Sequence, residues 1–557
     1  MRRQKVRYPE IIPNKNDWPI VQLSKHRNEF IDEVTEETYQ YLLNRKKGSL
    51  REEIETTIHR EKLRMKANPW RVDQPDEKVY WKNIQTRLLD INPDDRDKAI
   101  ALEKELLKEI IKRYTQEISG NFKRGAYQFA QRFITFGFAR LLNAARVKGL
   151  LSLFSRQLDL DDKIHVIGET DQIRSLAKKG TVVMVPTHFS NLDSILIGWA
   201  IQFLGLPPFI YGAGLNLFNI KILAYFMNSL GAYKVDRRKK NPIYLETLKA
   251  YSRNAIKKGC HSLFFPGGTR SRSGQIESNL RTGLLSTAIE AQREIYETAT
   301  ENGEIRKVFI VPVAINYHFT LEAPSLIRDH LKTTGRERYY VEADEFSTSY
   351  KLGTFMFKFF AKGSDISVNI GRGMDILGNY VDDEGKSFDK NGNPIHVRDY
   401  FLRDKKITVD PQREKEYVRV LGKRIVEEYH KYNRVFASHL VAYTAFKMLE
   451  RKNPKLDLYS VLRLPDEDLV LDYEKFKEHF KKLRSRLEKI HKKGLVDMAD
   501  HMKEKATNAI EHGLQNVGLY HDQRPLIKKK DKIIVQDTNT LYYYHNRMNG
   551  YGLEKYI

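Results

Sequence analysis

The sequence predicts an α/β protein whose core lies between an N-terminal helical region and a helical C-terminal extension. From about residue 26 to 160, charged and apolar residues alternate in groups of three and four, as in IALEKELLKEIIKRYTQEI. That spacing is typical of amphipathic helices. Between about residues 162 and 375, short β-branched runs alternate with helical stretches, which predicts an α/β core. Helical periodicity then returns, as in REKEYVRVLGKRIVEEYHKY.

Six runs predict the strands of the core: KIHVIGE, TVVMVP, PFIYGAG, HSLFFP, VFIVPVAINY and DISVNIGRG. TVVMVP and VFIVPV are apolar throughout, and this pattern suits interior strands covered on both faces. The chain divides into four predicted parts, namely residues 1–125 (N-terminal helical region), 126–375 (α/β core), 376–450 (a loop plus helices that complete the core) and 451–557 (a helical extension and a basic, tyrosine-rich tail of unknown role).

Composition limits the classes of partner. Lysine and arginine total 96 against 72 acidic residues, which gives a formal net charge of +24 and an attraction to polyanions. Nucleic acid, an anionic membrane surface, and acidic substrates or carriers all fit that charge. No recognised nucleic-acid-binding motif with interleaved aromatics is present, which disfavours nucleic acid. The single cysteine, Cys260, excludes an intrachain disulfide and a cysteine-cluster metal site, and is expected to be a buried apolar residue.

No run reaches the about 18 to 20 apolar residues that a membrane-spanning helix requires. The nearest stretch, residues 195–227, contains Pro207, Pro208 and Lys221, so it predicts an amphipathic helix, a turn and a second helix at a membrane surface. A buried core segment is the equally weighted alternative. The basic N-terminus has no apolar run behind it, so no secretory signal is expected. The expected location is the cytoplasmic face of a membrane, with peripheral or monotopic attachment.

The sharpest chemical pattern is HFSNLD, from His188 to Asp193, which follows TVVMVP and precedes the helical SILIGWAIQFLG. On one continuous helix, side chains five positions apart diverge by about 140° and do not meet. With His188 in the loop and Ser190 or Asn191 as the N-cap, Asp193 falls in the first helical turn and can bond to the imidazole. Such an aspartate fixes the tautomer and leaves the other ring nitrogen to act as a general base. The alternative is a loop histidine beside a helix-capping aspartate.

Three further segments follow in order: GAYKVDRR, FFPGGTRSRSG and VPVAINY. Together with HFSNLD they resemble the four sequence blocks of the glycerolipid acyltransferases, the HX4D family. TRSRSG is more similar to the glycerol-3-phosphate and dihydroxyacetone-phosphate acyltransferases than to the shorter lysophosphatidate enzymes. DISVNIGRGMDI and RVFASHLVAYTAF resemble later segments of the same branch. The resemblance covers about residues 125 to 450.

The resemblance implies a fold and a reaction. The fold is a central mixed sheet wrapped by helices. The reaction moves a fatty acyl group from a thioester, either acyl-CoA or acyl-ACP (acyl carrier protein), to the sn-1 hydroxyl of glycerol 3-phosphate, the first step of phospholipid synthesis. His188 and Asp193 are its catalytic residues, and no metal or other cofactor is expected. Two alternatives remain: another acceptor, 1-acylglycerol 3-phosphate or dihydroxyacetone phosphate, and a catalytically silent membrane- or nucleic-acid-binding protein on the same fold.

The resemblance also implies that arginines bind the phosphate of the acceptor. A planar guanidinium grips phosphate oxygens through paired hydrogen bonds, so Arg270 and Arg272 are the leading phosphate ligands and Arg237 is the next. The neighbouring basic residues are interpreted as a solvated turn that as a group faces lipid headgroups; they are Arg238, Lys239 and Lys240.

One position departs from the family pattern. Many members have Phe-Pro-Glu-Gly-Thr-Arg, whereas this chain has Gly267 in place of the glutamate. Gly267 and Gly268 are predicted to shape the turn and to let backbone amides approach an oxyanion or phosphate. Pro312 and Val313 are expected to shape the acyl-chain groove or the sheet.

Overall fold

The computed structural model describes residues 8–45, 49–67, 69–70, 73–90, 96–130, 164–215, 230–299, 305–334, 365–519 and 521–557. The helical pattern predicted between residues 131 and 160 and the predicted second helix within residues 216–227 lie outside these ranges. In the described part, the N-terminal region folds as five helices: α1 (Pro19–Lys25), α2 (Arg27–Asn44), α3 (Leu50–Ala67), α4 (Glu77–Leu89) and α5 (Arg96–Ile118).

A seven-stranded sheet forms the centre of the core, with its strands in the order β1, β7, β6, β2, β5, β3, β4. Every pair of neighbours is parallel except β6 and β7, which are antiparallel, so the predicted mixed sheet is confirmed. The strands are β1 (Ile164–Gly168), β2 (Gly180–Pro186), β3 (Ile210–Gly214), β4 (Ala232–Val235), β5 (Ser262–Leu263), β6 (Lys307–Tyr317) and β7 (Ile366–Ile370).

Six of these strands come from the runs that predict them, and β2 and β6 lie inside the sheet as expected for continuous apolar runs. The remaining strand, β4, was not predicted. It lies in GAYKVDRR, where Lys234 interrupts the apolar pattern after the buried Ala232 and Tyr233. Its place at the edge of the sheet, beside β3 alone, tolerates the polar residue.

Helices pack against the sheet and continue beyond it. They are α6 (Thr170–Lys179), α7 (Asp193–Phe203), α8 (Pro242–Lys257), α9 (Thr282–Thr298), α10 (Ala323–Thr334), α11 (Pro411–Tyr432), α12 (Ala437–Lys452), α13 (Leu458–Val461), α14 (Tyr473–Lys492), α15 (Ala506–Asn516) and α16 (Thr538–His545). Helix α12 is the centre of the C-terminal part, because its residues Leu440, Val441 and Phe446 have no exposed surface and α14, α15 and α16 all pack on it. The α/β fold with a helical extension is therefore confirmed.

Short strands add detail that helical periodicity does not predict. The polar segment after residue 375 contains two pairs, β8 (Ser387–Phe388) with β9 (Pro394–Ile395) and β10 (Leu402–Arg403) with β11 (Lys406–Ile407). In the C-terminal extension, β12 (Arg434–Val435) pairs with β14 (Asp497–Met498), and β13 (Val470–Asp472), β16 (Lys532–Val535) and β15 (Leu526–Lys529) form an antiparallel sheet in that order.

The described part of the stretch 195–227 is a core segment. Helix α7 buries Leu196, Ile197, Trp199 and Ala200, so the prediction that it lies on a membrane surface is wrong for this helix. The apolar side chains cover the sheet because both faces of a central sheet need partners. Among the described helices, none is long and apolar enough to cross a membrane.

Buried charges hold the N-terminal helices against the β4–α8 segment. Lys239 is almost fully buried, and its Nζ lies 2.5 Å from Glu117 and 3.4 Å from Glu77. Burial alone would lower the pKa of Lys239, but the neighbouring carboxylates outweigh that effect and raise it. Arg238 pairs with Asp236 at 2.7 Å and with Asp73 of the N-terminal region. The interpretation of Arg238 and Lys239 as headgroup contacts is therefore wrong, whereas Lys240 is exposed.

Replacing Lys239 by alanine should destabilise the junction between the N-terminal helices and the core. The substitution removes the buried cation between Glu77 and Glu117, which keep Arg64 and Arg113 as their other ion-pair partners, and breaking a buried pair in this way costs up to about 3 to 5 kcal/mol. Urea unfolding followed by tryptophan fluorescence should show the loss. Lys240→Ala is the matched control and should unfold like the unmodified chain, because its side chain is exposed. Equal midpoints for both variants would contradict the proposed junction.

Candidate active site

His188 lies in the short loop between β2, which ends at Pro186, and α7, which begins at Asp193. Its Nδ1 is 2.8 Å from Asp193 Oδ2. Because a carboxylate accepts at Nδ1, the neutral imidazole carries its proton on Nδ1 and has the lone pair on Nε2. Within the described ranges no residue hydrogen-bonds to Nε2, and 16% of the His188 side chain is exposed. The geometry suits a general base.

Asp193 has no exposed surface, and its carboxylate accepts hydrogen bonds from several parts of the fold. Besides the imidazole, the N–H groups of Phe189 and Ser190 donate to Oδ2 at 2.6 and 2.9 Å. The hydroxyl of Tyr317, on β6, donates to Oδ1. Asp193 is the first residue of α7, so the expected place in the first turn is observed, but neither predicted residue is the N-cap: Leu192 precedes the helix.

The segment between β5 and α9, residues 264–281, holds the backbone of His188 from both sides. Glu277 Oε1 accepts the His188 N–H at 2.9 Å, and the N–H of Ser271 donates to the His188 carbonyl at 2.7 Å. The imidazole also stacks on Phe265, with ring centroids 4.2 Å apart. Burial raises the pKa of Glu277 to about 7, although its bond to the His188 N–H opposes that shift.

A second carboxylate, Glu322, fixes the middle of the candidate catalytic loop, residues 187–192 between β2 and α7. It accepts from Ser190 Oγ at 3.1 Å and from the N–H of Asn191 at 2.9 Å. Arg270 Nη1 reaches the same carboxylate at 3.3 Å. The structure therefore places the predicted phosphate ligand Arg270 on the acid that supports the candidate catalytic loop.

Most of the backbone N–H groups near His188 that could stabilise an oxyanion are already engaged. The N–H groups of residues 188–193 all have acceptors in the loop, in Glu277 or in Glu322. Gly268 has φ +79° and donates its N–H to the Phe265 carbonyl, so it shapes the turn and does not point at a substrate. By contrast, the N–H of Gly267 has no acceptor among the described residues. Gly267 is thus the remaining candidate donor of the predicted set.

The other predicted phosphate ligands differ in surroundings. Arg237 is exposed at the surface, but the surrounding protein removes part of the water around its guanidinium and lowers its pKa. The nearby positive charge of Arg281 lowers the pKa further. No carboxylate in the described part of the chain pairs with Arg237, Arg272 or Arg281. Arg281 lies beside Gly268, since a Cβ built there would meet the Arg281 Cγ at 2.8 Å. Arg272 is exposed near His330 of α10.

The C-terminal tail reaches the candidate catalytic loop through Arg547. The guanidinium lies 3.7 Å from the centroid of the Phe189 ring. It donates to the Ile315 carbonyl and to Asn316 Oδ1, each at 2.6 Å, and to Asn433 Oδ1 at 2.9 Å. Burial lowers the pKa of Arg547 to about 10. The tail, whose role the sequence leaves open, thus forms part of the wall under the candidate catalytic loop.

The same tail supports the TRSRSG turn. Asn546 Nδ2 donates to the Ser273 carbonyl at 2.9 Å. Gly274 has φ +80° and packs so closely on Tyr543 that a Cβ would lie 2.2 Å from the Tyr543 carbonyl oxygen. Only glycine fits that approach.

Pro312 and Val313 lie in the interior of the sheet. They pair with Val185 and Pro186 of β2, and the Pro312 carbonyl accepts the N–H of Gly371 at 2.8 Å. Val313 has no exposed surface. Their contacts are those of sheet residues, and the acyl-groove role stays a prediction.

Three histidines form a cluster that could offer ligands to a metal ion. The ring nitrogens of His318, His501 and His512 lie within 4.8 Å of one another. However, the rings of His501 and His512 stack 4.1 Å apart at 24°, so their in-plane lone pairs do not converge on one ion. The N–H of Ala437 also donates to His501 Nε2 at 3.0 Å and occupies that lone pair. We assign no metal to the cluster.

Sequence reasoning missed Tyr317, Glu277, Glu322 and Arg547. The sequence contains one indication for Tyr317. It is the last residue of VPVAINY, and alternation along a strand places its side chain on the same face of the sheet as Val313. The missing acid at Gly267 hinted at another carboxylate, but nothing in the local sequence marks Glu277, Glu322 or Arg547 as part of the site.

Comparison with known proteins identifies the class. A family profile described as "Acyltransferase" matches residues 164–316, which include His188 and Asp193. Residues 164–316 are therefore similar to an acyltransferase domain, and the sequence is similar to glycerolipid acyltransferases. Several relatives that match part of this chain are glycerol-3-phosphate acyltransferases.

The glycerol-3-phosphate acyltransferase of Pseudoalteromonas atlantica (strain T6c / ATCC BAA-1087) is 25% identical over 275 residues, which cover 49% of this chain and 29% of the relative. That of Pseudoalteromonas translucida (strain TAC 125) is 28% identical, covering 38% and 23%. That of Actinobacillus succinogenes is 29% identical, covering 31% and 20%. The chain thus spans less than a third of the length of these relatives.

Among solved structures, the 1-acyl-sn-glycerophosphate (LPA) acyltransferase PlsC from Thermotoga maritima aligns with 68% of this chain and 97% of its own, at 14% identity. The TM-score is 0.25, which is too low to show a shared fold.

Replacing Tyr317 by phenylalanine should lower the stability of the chain. The buried Asp193 loses its donor at Oδ1, and leaving a buried acceptor unsatisfied costs about 1 to 3 kcal/mol. Tyr400→Phe removes an exposed hydroxyl for which the described residues offer no hydrogen bond, and it serves as the control. Thermal unfolding should show a lower midpoint for Tyr317→Phe alone. A midpoint equal to that of the control would show that the hydroxyl is dispensable.

Proposed function

We propose that this chain transfers a fatty acyl group from acyl-CoA or acyl-ACP to the sn-1 hydroxyl of glycerol 3-phosphate. The observation that carries the proposal is the bond between His188 Nδ1 and the buried Asp193, which leaves Nε2 as a base at a partly exposed surface. The family match and the names of the relatives support the choice of reaction and acceptor.

In this mechanism His188 Nε2 removes the proton of the acceptor hydroxyl as its oxygen attacks the thioester carbonyl. Asp193 holds the imidazole in place and stabilises the imidazolium that forms. The tetrahedral intermediate then collapses, the C–S bond breaks, and the imidazolium returns the proton to the departing thiolate. The products are an ester and a free thiol. The N–H of Gly267 is the donor best suited to the oxyanion.

The phosphate of the acceptor is bound by arginine in this proposal. Arg237 and Arg281 lie close enough to repel one another, and no described carboxylate neutralises them. A dianionic phosphate between them would relieve that repulsion and accept paired hydrogen bonds. Arg272 stays a candidate ligand at the exposed side of the turn. Arg270 instead contacts Glu322, the carboxylate that supports the loop of His188.

The acyl donors are amphipathic and the product is a lipid, so we place the reaction at a membrane surface with peripheral attachment. The formal net charge of +24 supports attraction to an anionic surface on the cytoplasmic side. Helix α7 does not provide the contact, because it is part of the core.

The test of the function is transfer of a labelled acyl group from acyl-CoA and from acyl-ACP. His188→Ala and Asp193→Asn should each lower kcat by about 100- to 10,000-fold, because the first removes the base and the second removes the negative charge that fixes its tautomer and stabilises the imidazolium. His59→Ala alters an exposed histidine of α3 and should leave the rate unchanged.

Several outcomes separate the alternatives. Competition among glycerol 3-phosphate, dihydroxyacetone phosphate and 1-acylglycerol 3-phosphate identifies the acceptor. Undiminished transfer by His188→Ala would refute the role of the histidine. No transfer with any donor, together with salt-sensitive binding to liposomes or nucleic acid, would favour the silent scaffold.

Replacing Arg281 by alanine should raise the KM for glycerol 3-phosphate by about 10- to 100-fold, as expected for the loss of a charge-assisted hydrogen bond, with a small change in kcat. The control is Arg419→Ala, which removes an exposed arginine paired with Glu416 on α11. Steady-state kinetics with each substrate varied in turn give the measurement. A rise confined to the KM of the acyl donor would instead assign Arg281 to the donor.

A further inference from the structure

Glu277 connects the loop before α9 to the catalytic histidine. It accepts the N–H of His188, and Ser271 of the same loop donates to the carbonyl of His188. The two peptide groups that flank the His188 Cα are therefore both held by one segment. Because the position of the imidazole follows the position of its backbone, a shift of this segment would move Nε2 relative to a bound hydroxyl.

The side chain of Glu277 occupies the space beside Gly267. A Cβ built on Gly267 would lie 2.9 Å from the Cγ of Glu277, which is closer than real Cβ atoms approach other atoms, and 3.0 Å from its Oε1, which is tighter than most Cβ contacts. Unlike Gly268, Gly267 does not have a positive φ, so its backbone does not demand glycine. A side chain at position 267 would therefore require the Glu277 side chain to move.

The burial of the Glu277 carboxyl group is unfavourable for the free energy of folding. Its Oε2 is buried and has no hydrogen-bond partner among the described residues. Burying an acid with one unsatisfied oxygen opposes folding. Among the described residues, the other residue to which the Glu277 carboxylate hydrogen-bonds is His188, so its contribution is to the geometry of the site rather than to stability.

We propose that Glu277 is a positioning residue for His188 and supplies, from later in the same loop, the carboxylate that position 267 lacks. The family that the sequence resembles has glutamate at that position in many members. Here the carboxylate reaches the same volume from a different point of the chain. The proposal rests on the proposed acyl transfer by His188 and adds the residue that keeps its backbone in place.

A carboxylate swap tests the proposal. Glu277→Ala should lower kcat by about 100-fold with little change in the KM for glycerol 3-phosphate, the size expected for a misplaced catalytic group. Gly267→Glu alone should also be impaired, because its side chain collides with Glu277. The double variant Gly267→Glu/Glu277→Ala should recover kcat to within about tenfold of the unmodified chain, because coupled sites are not additive.

The swap is read against two controls. Glu297→Ala removes a half-exposed acid of α9 that pairs with Arg293, and it should keep the full rate. His188→Ala, measured in the same assay, establishes whether the reaction depends on the histidine at all. If the unmodified chain transfers acyl groups and His188→Ala does not, the proposed function stands whatever the Glu277 variants do.

A pair of near-isosteric variants covers the case in which the alanine variants do not fold. Glu277→Gln keeps an oxygen that can accept the His188 N–H, whereas Glu277→Leu fills the space without an acceptor. The proposal predicts that Gln retains kcat within about tenfold and that Leu loses about 100-fold, even though Leu folds at least as stably. Equal rates for Gln and Leu, or a double variant no better than the worse single variant, would overturn it.

Discussion

The burial of the Asp193 carboxylate is the constraint on which the site depends. A charge without exposed surface must have its oxygens bonded, because an unpaired buried carboxylate costs several kcal/mol. The donors come from the imidazole of His188, from two loop amides and from the Tyr317 hydroxyl on β6. Satisfying one acid therefore ties the loop after β2 to the adjacent strand and leaves Nε2 of the histidine for a substrate.

A second consequence is that the site needs parts of the chain far from the candidate catalytic loop. Arg547 fills the space under Phe189 and bonds to the end of β6, so the C-terminal tail is a structural part of the centre. Gly274 packs on Tyr543 of the same tail. Because the turn with the candidate phosphate ligands rests on α16, the geometry of the turn depends on residues that follow the segment similar to an acyltransferase domain.

The N-terminal helices are attached to the core by a different kind of interaction. Lys239 is buried between carboxylates of α4 and α5, and Arg238 pairs with Asp73 before α4. Basic residues that follow β4 thus satisfy acids that are brought from the N-terminal region, at the sheet edge farthest from β1. Part of the positive charge counted in the composition is therefore paired with acids inside the protein and does not face a membrane.

The sequence by itself determined the features that depend on neighbouring residues. Apolar runs predicted six strands. The order of strand, loop and helix around HFSNLD predicted the pairing of His188 with Asp193, because both partners lie within these six consecutive residues. Tertiary structure alone decided that Glu277 holds His188, that Arg547 enters the site and that Lys239 is buried. Each of these depends on partners remote in sequence, and a lone acid or base looks the same in a sequence whether water or a buried counter-charge will surround it.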